Sequence, residues 1–353
     1  MKERIHWIDV TKGILIILMV FGHIQVVSGD HGIDNNDLIR CIFYSGIWGC
    51  FFMQAFFVLT GYTTNFEKGF KPYFISNVKT LVVPWLSFSI ITRVLGHLLF
   101  NQPFYDEIGG VRYFFLVEDY WFIHALFFGK IAYYFIRKWI KLDVIRFSLL
   151  LVMTIVGFYS ISYFYSIGVD EPYHAYNYLH FKDFLCMTIF LWVGDYLKRK
   201  DLLEKLLKGK YYAFILFLFL LGNVFKMYSK INGFEVPALT PVILSHGGNI
   251  CSIIQVPAFL FYAITGSLSC FGIARLINKS LILEYFGKNS LVFYCIHFLF
   301  LDIYITLISS FLLPLGIINA ILFTFIVLIM TLISCIPFIK LLQYKPFSYI
   351  IGK

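Results

Sequence analysis

The chain has 353 residues, 59% of them hydrophobic and only 14% charged, and its mean hydropathy is +0.79. A water-soluble domain of this length carries charged residues near a quarter of its total. Too little polar surface remains to cover a globule in water, so lipid must solvate much of the molecule. The net charge of +9 does not point to nucleic acid. Lys and Arg sit in short loops between apolar runs, where the positive-inside rule places them, and no basic domain interleaved with aromatics is present.

In chain order, the first apolar stretch follows Lys2 and Arg4. No small-residue cleavage site follows it and the pattern recurs throughout, so it is expected to be a retained helix rather than a signal peptide. A membrane helix needs about 20 mostly apolar residues. Ten segments qualify: 8–28, 43–64, 78–100, 120–137, 147–166, 183–197, 211–229, 251–276, 289–311 and 317–338. The expected fold is all-α: a polytopic membrane protein of about ten transmembrane helices with both termini cytoplasmic. No internal repeat of the kind many transporters carry is visible.

Charge placement agrees with this count. With the N-terminus inside, basic residues from Lys2 through the 198–210 cluster to Lys353 fall on the inner side, against Arg40, Arg112, Lys182, Lys226 and Lys230 outside. The asymmetry is about four to one. The outer loops 29–42, 101–119, 167–182 and 230–250 are long enough to carry function. Seven cysteines, at 41, 50, 186, 251, 270, 295 and 335, form no CxxC and lie mostly in apolar runs. They read as small buried hydrophobes, with neither a metal site nor a disulfide framework expected.

Ionisable groups inside a membrane are costly and commonly functional. Those here are His23, Arg93, His97, His124, Lys130, His297 and Asp302. Lys12 and His23 return to within about 20° of one helix face, about 16 Å apart along the axis, and Asp9 lies on nearly the same face. A stripe thus runs from the cytoplasmic edge to a deep imidazole, which as a neutral base can accept a proton. A histidine bonding between helices is the competing reading. Lys79, Arg93 and His97 form a second stripe, approximate because Pro84 is expected to kink that helix. Arg93 suits either an anionic substrate group or a structural ion pair. His297 and Asp302 are five residues apart and do not stack on one face; structural roles suit both.

The segments around these residues resemble the acyltransferase-3 family of bacterial membrane O-acyltransferases. The likeness rests on five stretches in order: Arg4-Ile-His-Trp-Ile-Asp9-Val-Thr-Lys12-Gly13 with Val20-Phe-Gly-His23; Phe56-Phe57-Val58-Leu59-Thr60-Gly61-Tyr62; Leu81-Val82-Val83-Pro84-Trp85; Trp121-Phe122-Ile123; and Phe286-Gly287-Lys288-Asn289-Ser290-Leu291 with Tyr294 and His297. The branch it looks nearest to is that of fucose 4-O-acetylase. The resemblance implies a transmembrane acyltransferase domain over 1–340 and a short cytoplasmic tail over 341–353. It implies acetyl-CoA as donor, a hydroxyl of a surface polysaccharide as acceptor, and the bacterial cytoplasmic membrane as location, with no metal and no nucleic acid partner. His23 then takes the place of the family's catalytic histidine, as general base or acyl carrier.

Two family features are altered. An arginine pair expected at the start of the third helix falls on Asn77 and Thr80, so Lys12, Lys71 and Lys79 are the candidates for the donor phosphates. A glutamate found in some branches falls on Leu126, and the nearest polar side chain, His124, is the candidate second catalytic group. Arg93, His97 and Asp302 are the candidates for the acceptor. The rival classes are a transporter or flippase of a lipid-linked glycan and a glycan polymerase, neither of which needs a CoA site.

Overall fold

In the computed structural model, residues 5–30, 51–100, 120–166, 181–231, 255–312 and 317–352 are described. The predicted outer loops lie almost wholly outside them, as do Cys41, Cys50 and Cys251. Every described segment is helical, in the order α1 (His6–Asp30), α2 (Phe52–Thr63), α3 (Phe70–Asn77), α4 (Val83–Phe100), α5 (Trp121–Trp139), α6 (Asp143–Ser166), α7 (Phe181–Arg199), α8 (Leu203–Leu206), α9 (Gly209–Ile231), α10 (Gln255–Ile277), α11 (Leu281–Lys288), α12 (Ser290–Leu312) and α13 (Ile317–Leu341). Five helical stretches among the described residues are long and apolar enough to cross a membrane: His6–Ile24, Phe70–Leu98, Val256–Ile277, Ser290–Ile308 and Ile321–Leu341.

Polarity is distributed inside out. On α9, Phe214, Phe217, Leu221, Val224 and Phe225 are each more than half exposed, while Thr154, Asp183, Thr188 and Thr331 are fully buried. Such an apolar exterior is stable only against lipid. Polar side chains within the helices bond back to their own backbone: Thr11 to the Trp7 carbonyl at 2.8 Å, Ser28 to Ile24 at 2.6 Å, Thr154 to Leu150 at 2.9 Å. With no water to meet a hydroxyl, the carbonyl four residues back is the nearest acceptor.

Two compact units divide the chain. The first combines residues 1–53, 206–236 and 262–347; the second combines 54–205, 237–261 and 348–353. In the first, α1 packs against α11, α12 and α13. At the α1–α11 crossing an added Cβ on Gly13 would overlap the Leu283 carbonyl, and one on Gly287 would overlap the Asp9 carbonyl. The two backbones therefore touch, each through the other's glycine. In the second unit α7 packs on α5 and α6, and Gly61 of α2 and Gly194 of α7 make the same reciprocal contact with Leu191 and Val58.

The helix expected at 78–100 begins earlier. From Phe70 it runs through a five-residue π-helical turn, Val78–Val82, into α4. Pro84 cannot donate to the helix ladder, and a wide turn immediately before it absorbs that defect. Segments 281–288 and 347–351, read from the sequence as loop and tail, are α11 and a 3-10 turn. The end of the tail is packed, with Gly352 against the backbone carbonyl of Lys79.

Candidate active site

The Phe286-Gly287-Lys288-Asn289-Ser290 stretch is a corner between two helices. Ser280 caps α11 by accepting from the Leu283 N–H at 3.4 Å. At the far end the Asn289 side chain donates to the Tyr285 carbonyl at 2.8 Å, closing α11 before α12 starts at Ser290. Gly287 admits the α1 backbone. Lys288 is spent on Glu284 at 2.9 Å, and Glu284 also meets His6 Nδ1 of α1 at 2.9 Å. This corner fixes the register between α1 and α12.

That register sets His23 of α1 against His297 of α12. His23 Nδ1 and His297 Nε2 are 3.0 Å apart, a hydrogen bond between two imidazoles. His297 is fully buried, and its Nδ1 donates to the carbonyls of Tyr294 at 2.9 Å and Phe293 at 3.1 Å. The Phe298 ring lies 4.7 Å from the His23 ring and 4.4 Å from the His297 ring, bracing both. His23 keeps part of its surface accessible. Among the described residues its Nε2 makes no hydrogen bond. The outcome is an imidazole with one nitrogen tied down and the other open, as a proton acceptor or a nucleophile needs.

The other expected site residues fall in two groups. Lys12 lies on α1 with His23, half-buried, and Asp9 is buried one turn before it. Asp302 lies on α12, half-buried. Lys71, Lys79, Arg93, His97 and His124 all belong to the second unit. Lys71, Lys79 and His97 are exposed there and Arg93 is half-buried. His124 is buried; its Nδ1 donates to the Tyr120 carbonyl at 3.0 Å and its ring meets Trp85 edge-on at 4.2 Å. The two positions where the family's arginines are expected hold self-bonded side chains: Asn77 donates to the Tyr73 carbonyl at 2.9 Å and Thr80 to the Ser76 carbonyl at 2.8 Å. Both serve the helix around the π-helical turn. Lys130 Nζ stands 5.8 Å from the Tyr73 ring centroid, a cation–π contact.

Sequence reasoning missed a network at the ends of α5, α6 and α7. Asp195 Oδ2 accepts from Tyr133 at 2.7 Å, Arg199 Nε at 2.8 Å and Arg137 Nε at 3.1 Å. Asp143 accepts from both terminal nitrogens of Arg199, at 2.6 and 3.1 Å, and from Arg146 at 2.9 Å. The Arg199 hydrogen bonds, aided by the nearby Arg146, hold the Asp143 carboxyl below its usual value despite some desolvation. Arg146 also caps the end of α5 through the carbonyls of Ile140 at 2.6 Å and Arg137 at 3.1 Å. The basic residues of these loops had signalled orientation. Their carboxylate partners, Glu67 on Arg137 among them, are up to 70 positions away in the chain, beyond any local pattern.

A chain whose described residues are helical, with an apolar exterior and several helices long and apolar enough to cross a membrane, is a multi-pass membrane protein. A family model described as an acyltransferase domain matches residues 5–340. The chain is therefore a membrane acyltransferase and belongs to the acyltransferase-3 family. No curated protein and no solved structure matches it.

Proposed function

We propose that this acyltransferase moves an acetyl group from cytoplasmic acetyl-CoA to a hydroxyl of a surface or exported polysaccharide, with His23 at the reacting centre. The observation that carries the reading is the His23–His297 pair at 3.0 Å, with the remaining His23 nitrogen open, in a chain of this family. On this reading the protein lies in the bacterial cytoplasmic membrane as ten helices with both ends inside, in the fucose 4-O-acetylase-like branch.

CoA approaches from the inner side. Lys12 in the first unit, and Lys71 and Lys79 in the second, are each a basic group suited to its phosphates, and the roughly 16 Å from Lys12 to His23 along α1 suits the reach from phosphates to thioester. The hydroxyl proton passes to His23, the oxygen bonds to the thioester carbonyl carbon, the C–S bond breaks, and the departing thiolate takes the proton. In a covalent variant the same nitrogen carries the acetyl group first. In the second unit His124 is the assisting acid–base group and Arg93 and His97 are glycan-binding groups; in the first, Asp302 is another.

Calorimetric titration of the purified protein with acetyl-CoA is expected to show saturable binding. No heat at millimolar donor would overturn the reading and favour a glycan flippase or polymerase. NMR of surface glycan from cells with and without the protein then gives the acyl group and the hydroxyl modified.

A further inference from the structure

We propose that His297 is a positioning residue that fixes the tautomer of His23, holding the His23 proton on Nδ1 and leaving its Nε2 lone pair to face the reacting hydroxyl. This rests on the reading of His23 given above.

The assignment follows from which atoms can donate. The Phe293 and Tyr294 carbonyls only accept, so His297 Nδ1, at 3.1 and 2.9 Å from them, carries a hydrogen. A neutral imidazole has one N–H, so His297 Nε2 is then bare and can only accept. Its partner at 3.0 Å is His23 Nδ1, which must supply the hydrogen. A neutral His23 with its hydrogen on Nδ1 has a lone pair on Nε2. The chain of donors thus runs from His23 Nδ1–H to His297 Nε2, and from His297 Nδ1–H to two backbone carbonyls.

The alternatives are costly. With its hydrogen on Nε2, His23 would turn a bare Nδ1 toward a bare Nε2 in a buried setting, leaving two acceptors facing each other without a donor. A doubly protonated His297 would place a cation, fully buried, beside the Tyr294 and Phe298 rings, with no carboxylate bonded to it among the described residues. Burying an unpaired charge is the more expensive choice. The α1–α11 crossing and the Asn289 corner hold the two rings in this register, so the tautomer is set by backbone packing.

The consequence for the reaction is specific. As the hydroxyl gives its proton to His23 Nε2, His23 becomes an imidazolium whose Nδ1–H stays bonded to His297 Nε2. That bond strengthens with the charge. When the thiolate leaves, it takes the proton from Nε2 and the starting tautomer is restored. No proton needs to cross His297.

The test uses the full-length protein in lipid nanodiscs with ¹⁵N-labelled histidine, the His23 signals being identified by their loss in His23→Asn. A protonated Nδ1 and a bare Nε2 on His23 are expected; a proton on Nε2 with a bare Nδ1 overturns the proposal without any activity measurement. Kinetics give a second readout. His297→Gln places an amide oxygen near the position of the ring Nε2 and is expected to keep kcat within about 10-fold, whereas His297→Leu is expected to lose about 10²-fold in kcat at unchanged acceptor KM. Equal kcat for His297→Leu and wild type, or equal loss in both variants with matching loss of thermal stability, overturns it. A fully active His23→Ala would instead defeat the reading of His23 itself, a result the ¹⁵N assignment does not depend on.

Discussion

Each compact unit holds its helices together with the same device, a reciprocal pair of glycines at a helix crossing, yet the two build opposite polar interiors. In the first unit the deep polar group is the His23–His297 pair, two imidazoles linked end to end. In the second, Asp195 and Asp143 gather three arginines and a tyrosine. With Glu67 also on Arg137, three carboxylates meet the three arginines, so the network fixes geometry. The histidine pair ends on an open nitrogen. Within one membrane protein, then, the satisfied network suits a structural role, and the open terminus is where the proposed chemistry is assigned.

Five substitutions, in four tests, press on that contrast. On the proposed function, the largest effect is expected from His23→Ala: acyl transfer should fall about 10³-fold, roughly 4 kcal/mol of barrier, with the protein still folded and its melting temperature in detergent lowered only modestly. Asp195→Asn should act the other way. Removing the charge from a buried carboxylate that holds two arginines is expected to cost about 3 kcal/mol in unfolding free energy, with activity per folded molecule retained; an inactive but stable variant would break the contrast.

Gly287→Ala comes next. Its new methyl must displace the Asp9 carbonyl, so a loss of about 1–3 kcal/mol in unfolding free energy is expected. Gly22→Ala, whose Cβ would find only a Phe52 ring carbon at 3.8 Å, should be close to neutral. Equal melting temperatures for the two would refute the close crossing.

The smallest effect is acid-dependent. The Asp143 carboxyl is depressed below its usual 3.8, first by the Arg199 hydrogen bonds. Its contribution is therefore present in full above the unfolded-state value and lost as pH falls through the folded one. Partial exposure and solvent screening keep it small. Asp143→Asn should lower the melting temperature near pH 7, and the gap from wild type should close as pH drops below about 4. A gap that persists in acid would detach the stabilisation from this carboxylate.

Much of this was legible in the sequence. Apolar runs gave helices at each described part of the ten expected segments, because a backbone in lipid must satisfy itself within its own segment. Lys12 and His23 do share one unbroken helix, as their spacing required. Helix α11 was missed because eight residues with Glu284 and Lys288 among them look like a polar loop; its helix is stabilised by packing on α1, which a local pattern does not register. His297 looked structural for a related reason. Five residues from Asp302 on its own helix, it showed no partner there, and its partner His23 is 274 positions away in the chain.

The sequence by itself determined that the chain folds in lipid, which of its described stretches are long apolar helices, and that a histidine with a basic residue 11 positions before it lies in the first helix. Those follow from transfer free energies and the helical repeat, both local. Tertiary structure alone decided which nitrogen of that histidine is occupied. A tautomer depends on a partner placed within about 3 Å, and that placement comes from glycines on two helices meeting backbone to backbone.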